Sequence, residues 1–94
     1  ALGMRLRAVT PEDARRLRLP EAEGLLVAEV AESSKAARAN IVPGDVILEA
    51  NGQKVDSLQR FRDVLQGDAA DKGVILLLVY REGQTLFRTI PLED

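Results

Sequence analysis

Neither cysteine nor histidine occurs in the 94 residues. Without cysteine there can be no disulfide, thiolate nucleophile or thiolate metal site, and the redox compartment leaves no mark on the chain. Without histidine the usual general base of a serine or cysteine hydrolase is missing, together with the commonest metal ligand. Aromatic residues make up 3%, too few for the stacking platforms that hold single-stranded nucleic acid. The formal net charge is -2, with 13 basic and 15 acidic residues interspersed, so no overall field favours nucleic acid or an anionic membrane. The longest strongly apolar run, residues 74–80, falls far short of the ~20 residues a spanning helix needs. The expected ligands therefore include no nucleic acid, metal or cofactor, and no direct membrane insertion is expected.

What is present describes one globular domain over residues 1–94, since 46% hydrophobic and 30% charged residues suffice for a single core. A chain beginning with Ala1 rather than Met reads as a piece excised from a longer protein. Residues 4–9 alternate apolar and polar, the period of a strand with one buried face. Thr10-Pro11-Glu12-Asp13 is a helix start, with Thr10 as cap and a carboxylate three residues later; Ala14 and Leu17 are its core-facing candidates. Residues 24–30 form a second, more central strand, and Ser33 and Ser34 precede a short helix at 35–39. Pro43-Gly44-Asp45 turns the chain into a strand at 46–50, and Asn51-Gly52 marks a tight hairpin.

Asp56 or Ser57 caps an amphipathic helix at 58–66, with Gly67 expected at its C-terminal cap and a polar loop beyond. Strands at 74–80 and 85–92 flank the turn Arg81-Glu82-Gly83-Gln84. The pattern predicts an α+β fold, a small, mostly antiparallel sheet with two or three short helices.

Candidate chemistry is sparse. Ser33, Ser34, Lys35 and Lys54 could be imagined as a Ser-Lys hydrolase, but helix capping explains both serines. Glu12-Asp13 and Glu21 with Glu23 read as solvated carboxylates without calcium-loop spacing. Arg15, Arg16 and Arg18 form a small basic cluster, read as the exposed face of a short helix. No glycine-rich phosphate loop occurs.

Three motifs converge on one family. Leu2-Gly3-Met4 before a strand, the continuous stretch from Ala36 through Pro43-Gly44-Asp45 to Asn51-Gly52, and the capped helix from Leu58 together resemble a PDZ domain across nearly the whole chain. The order is circularly permuted relative to animal PDZ domains, the strand that normally comes first appearing last. Residues 9–20 followed by Gly24-Leu25-Leu26-Val27 are similar to the second PDZ domain of the trypsin-like DegP, DegQ and HtrA serine proteases. The resemblance implies a PDZ-like small antiparallel β-sandwich or partly open barrel of five to six strands. It also implies a non-catalytic module of a periplasmic serine endopeptidase and chaperone in protein quality control, whose triad lies upstream.

On this resemblance Leu2, Gly3 and Met4 form the carboxylate-binding loop, with Ala1 in place of its first glycine and Met4 in place of its phenylalanine. Peptides ending in apolar residues, or exposed extended segments of substrate proteins, would add as a strand along Arg5, Leu6, Arg7 and Ala8. Leu58, Arg62 and Leu65, spaced i, i+4 and i+7, share a helical stripe that can face the groove. Leu2, Met4, Leu6 and Leu65 would line the pocket for the last side chain, and Phe61 and Val64 would enter the core. Leu58 stands where many animal PDZ domains carry a histidine, which favours an apolar ligand residue two before the terminus. Two other readings share these features: a PDZ filter of a membrane site-2 metalloprotease, and a docking domain that joins other domains or subunits of a parent protease without a free-peptide ligand.

Overall fold

The computed structural model describes residues 2–93. One sheet carries six strands: β1 (Met4–Ala8), β2 (Leu25–Val30), β3 (Val46–Ala50), β4 (Gln53–Lys54), β5 (Val74–Arg81) and β6 (Gln84–Pro91). Their order is β1-β2-β3-β5-β6, with β4 paired to β3, every pairing is antiparallel, and the sheet does not close. The helices are α1 (Pro11–Leu17), α2 (Lys35–Arg38), α3 (Leu58–Val64) and α4 (Ala70–Lys72). The α+β architecture expected from the sequence is the one observed.

Alternation along the strands separates two apolar clusters, because successive side chains leave a strand on opposite faces. Leu25, Val27, Ile47, Leu77 and Val79 point to one face, where Met4, Leu6, Phe61, Val64 and Ile90 complete the main core. Leu26, Val46 and Tyr80 point to the other, where Val9 and Ala14 join them beneath α1.

The caps follow the sequence. Thr10 Oγ1 accepts from the Asp13 amide (3.1 Å) while Asp13 Oδ2 accepts from the Thr10 amide (3.0 Å), a reciprocal box that starts α1. Ser34 Oγ accepts from Ala37 N and Ser57 Oγ from Arg60 N. Asn51, at φ 49, turns the β3–β4 hairpin, and its side chain is used at both ends. Its Oδ1 accepts from Leu76 N (2.7 Å) and its Nδ2 donates to Asp68 (2.9 Å).

One boundary differs from the expectation. Gly67 does not end the helix; after α3 the chain continues through a π-helical stretch (Leu65–Ala69) into α4, and Gly73 at φ 77 is the left-handed cap. Ala69, Ala70, Asp71 and Lys72 tolerate helix well enough for a packing contact to decide, and Ala69 is fully buried in the main core. The wider π turn brings it there, and the Lys72–Asp68 ion pair (3.2 Å) with the Asn51 bond holds the turn. Both partners draw the Asp68 carboxyl below its ordinary range, Lys72 most.

Candidate functional site

β1 is an edge strand: it pairs with β2 on one side, and its other side faces α3. Between them lies a groove of about 240 Å³ lined by Met4, Arg5, Leu6, Leu58, Phe61 and Arg62. Its base is apolar because the period-2 pattern sends Met4 and Leu6 inward, leaving them 5% and 9% exposed. Its wall is a helix whose buried side carries Phe61 and Val64 and whose outer side keeps Leu58 40% exposed. Leu58 thus stands exposed beside the edge strand.

The loop at the head of the groove has an unusual backbone. Leu2 and Gly3 both lie at positive φ, 59 and 89. The Leu2 carbonyl accepts from Ala36 N (3.2 Å) and the Gly3 carbonyl from Ala31 N (2.8 Å), so both oxygens turn toward the body of the domain. In a trans peptide the N–H opposes the C=O, and the described residues contain no cis bond. The Gly3 amide is therefore aimed away from the body of the domain. Gly3 is also sterically required: a Cβ there would stand 2.1 Å from Ser34 Cβ.

Met4, Arg5, Leu6, Leu58 and Arg62 thus line one groove, and Leu2 and Gly3 stand at its head, before β1. One expected participant, Leu65, lies outside the groove lining. It begins the π-helical stretch and packs half-buried against the main core, because the helix changes pitch there. Phe61 takes its place in the lining while remaining 1% exposed, so it serves the core and the groove together. Arg7 stays on the edge strand through its backbone, but its guanidinium is bound to Asp13, with Nη1 to Oδ2 at 2.5 Å and Nη2 to Oδ1 at 3.0 Å. Ala8 ends β1 with its side chain exposed. The role assigned to Ala1 falls outside the described residues.

Charge in the groove is uneven. Arg5 pairs across the sheet with Glu29, beside the point where Arg5↔Glu29 gives way to Leu6↔Val27 and β2 carries one extra residue. Arg62 is bonded to no acidic side chain among the described residues, which leaves it as the uncompensated cation of the lining.

Asp13, read from the sequence as a solvated carboxylate, is buried at 5% exposure because it gathers two arginines, and neither Asp45 nor Tyr80 stood out there as a partner. Asp13, besides closing the capping box, receives Arg7 and Arg16 (2.9 Å). The Arg7 hydrogen bonds, then the Thr10 amide, hold its carboxyl far below the ordinary carboxylate range. Asp45, 1% exposed, accepts from Arg81 Nε and Nη2, both at 2.7 Å, and from Val42 N at 3.0 Å. Tyr80 donates its hydroxyl hydrogen to the Leu17 (2.8 Å) and Arg18 (3.0 Å) carbonyls at the end of α1. The one sequence signal was their type: a carboxylate flanked by apolar residues at a strand start, and a lone tyrosine closing an apolar strand.

Comparison with known proteins extends the geometry. Residues 1–92 match the family described as PDZ domain. A probable periplasmic serine endoprotease, DegP-like, from Chlamydia pneumoniae is 36% identical over 78 residues, 82% of this chain and 16% of the relative. The chain thus spans about a sixth of the length of that relative. Among solved structures, the HtrA3 PDZ domain bound to a phage-derived ligand (FGRWV) superposes with a TM-score of 0.78 at 28% identity, covering 97% of this chain and 82% of that one. The HtrA-type protease AlgW with a decapeptide superposes at 0.75 with 36% identity, covering 97% and 28%.

Proposed function

The chain belongs to the PDZ domain family, and from that premise we propose that it is a non-catalytic peptide-binding module that takes apolar C-termini, or exposed extended segments, by strand addition to β1. The observation that carries the reading is the open edge of β1 lying along α3, headed by a loop whose Leu2 and Gly3 carbonyls are turned inward. Main-chain bonds to that edge are indifferent to ligand sequence, so selectivity falls to the side-chain pockets. Leu58 selects an apolar residue upstream of the terminus, and Met4, Leu6 and Phe61 receive the terminal side chain, a burial worth ~1.5 to 3 kcal/mol. Ordering a short flexible peptide offsets much of this, which sets the affinity at about micromolar. Similar chains support the reading: the HtrA3 PDZ domain and AlgW were both solved with peptides.

By the same resemblance the parent is a serine endopeptidase of the periplasm engaged in protein quality control, with its triad upstream of this chain. An upstream Gly-Asn-Ser-Gly-Gly motif in the parent is the expected finding; flanking transmembrane helices bearing His-Glu-x-x-His would overturn it.

The direct test is an NMR titration with peptides ending in a free carboxylate and apolar residues. Shifts confined to residues 2–8 and 58–62, and markedly weaker with a C-terminally amidated control, are expected. Equal shifts from both peptides would remove the carboxylate-binding loop, and shifts elsewhere would remove the groove.

A further inference from the structure

A second groove, of about 560 Å³ against about 240 Å³ for the first, lies between the end of α1 and the β5–β6 turn. The two share no lining residue. Its floor is rigid. Tyr80 ties down the Leu17 and Arg18 carbonyls, and Arg81 is held by Asp45 and by the Asn40 carbonyl (2.8 Å). The apolar seat on this floor is Val42 and Pro43, with Val42 43% exposed.

The rim is basic in a chain whose net charge is -2. Arg16 and Arg18 line the groove, and Arg15 precedes them on α1. Asp13 is shared by Arg7 and Arg16, so one positive charge of that trio is left over. Arg18, the left-handed cap of α1 at φ 61, is bonded to no acidic side chain among the described residues. Of the acidic residues in the lining, Asp45 is committed to Arg81, which leaves Glu82 alone on the opposite wall. A preformed concave site with an aromatic floor, an apolar seat and excess arginine has the composition of an interaction surface.

We propose that this groove docks an extended acidic segment of another polypeptide, with a large apolar side chain seated on Val42 and Pro43 and flanking carboxylates paired to Arg16 and Arg18. Carboxylates match the guanidinium fork, and the exposed rim makes the attraction sensitive to salt. Because the two grooves are disjoint, this binding neither requires nor blocks a peptide on β1.

The probe is a synthetic peptide alternating Glu with Leu or Phe, amidated at its C-terminus so that it lacks the carboxylate the β1 site uses. NMR shifts are expected at Arg16, Arg18, Val42, Gly44 and Gly83, with affinity falling several-fold as sodium chloride rises from about 0.05 to 0.5 M. Arg18→Glu should weaken the probe about tenfold or more, and Val42→Ser should weaken it at any salt concentration. Both variants should melt like the parent chain, and Arg18→Glu should still bind the free-carboxylate peptide unchanged. The proposal is overturned if a Lys-for-Glu peptide binds equally well, if the shifts fall on residues 4–6 and 58–62, or if millimolar probe moves nothing. Concentration-dependent shifts in the chain alone would replace the acidic segment with a second copy and overturn it as well.

Discussion

The main core and the smaller cluster under α1 lie on opposite faces of one sheet, and they are assembled from different materials. Sixteen buried residues, all apolar, make up the main core. Five make up the other, and around them stand Asp13 with Arg7 and Arg16, Asp45 with Arg81, and the Tyr80 hydroxyl on the end of α1. A large apolar volume stabilises through area and close packing; a small one leaves loop ends and strand starts near water, where buried hydrogen bonds must fix the geometry. The β1–α3 groove borders the first region and inherits an apolar base from it. The groove beside α1 borders the second and inherits its arginines.

Substitutions in the two regions should separate the two kinds of stabilisation. Phe61→Ala is expected to do most, destabilising by about 3 to 5 kcal/mol in urea unfolding, with little dependence on salt. A loss below about 1 kcal/mol would mean that the main core tolerates a void at its centre. Asp45→Ala comes next, at about 3 kcal/mol, because it leaves the partly buried Arg81 and the Val42 amide without their acceptor. The paired substitution Asp45→Leu with Arg81→Met should recover most of that loss, and failure to recover would show that Asp45 acts mainly on the turn at 42–45.

Acid should act mainly on the region under α1, because Asp13 is buried there, whereas Asp68, beside the main core, is partly exposed and screened by solvent. Asp13 releases its proton more readily folded than unfolded, so the stability it confers is full above the unfolded pKa of about 3.9 and is lost as pH falls below it. Chain stability should therefore decline below about pH 4. Asp13→Asn should be less stable near neutrality and decline less on acidification. The effect is smaller than that of Asp45 because Arg7 and Arg16 are 47% and 62% exposed and screened by solvent. A parallel acid profile for the parent chain and Asp13→Asn would remove the pair from the ledger. The smallest expected change is a gain: Gly67→Ala should stabilise by about 0.5 to 1 kcal/mol, since Gly67 lies inside the helical segment with open space at its Cβ position. Were Gly67 the left-handed cap, the same change would destabilise.

Most of the frame is legible in the sequence because its signals are local. The alternation before Ala8, the Thr10 and Ser57 caps and the Asn51-Gly52 hairpin each act within a few residues, and each is found where the pattern places it. Gly67 misled because a glycine after an amphipathic run usually marks an end, and only the burial of Ala69, a contact distant in sequence, shows that the helix runs on. Asp45 and Arg81 are 36 residues apart, so no window of the sequence joins them. In the groove, Leu58 and Arg62 follow from helical spacing, whereas Leu65 does not, since i+7 spacing assumes a constant pitch that the chain abandons there.

That change of pitch has a consequence for how the chain tolerates insertion and deletion. A π-helical turn holds one residue more than an α-helical turn, and one residue of an α-helix corresponds to about 100° of rotation. Ser57 fixes one end of the segment and the Asn51–Asp68 bond fixes the other. The extra residue therefore sets the angular phase between the side of α3 that presents Leu58 and Arg62 and the side of the segment that anchors Ala69. Deleting Gln66 or Gly67 would straighten the helix into a single α-helical register and preserve its apolar content. The wall of the groove would then be turned away from β1, giving a folded chain with a misaligned edge.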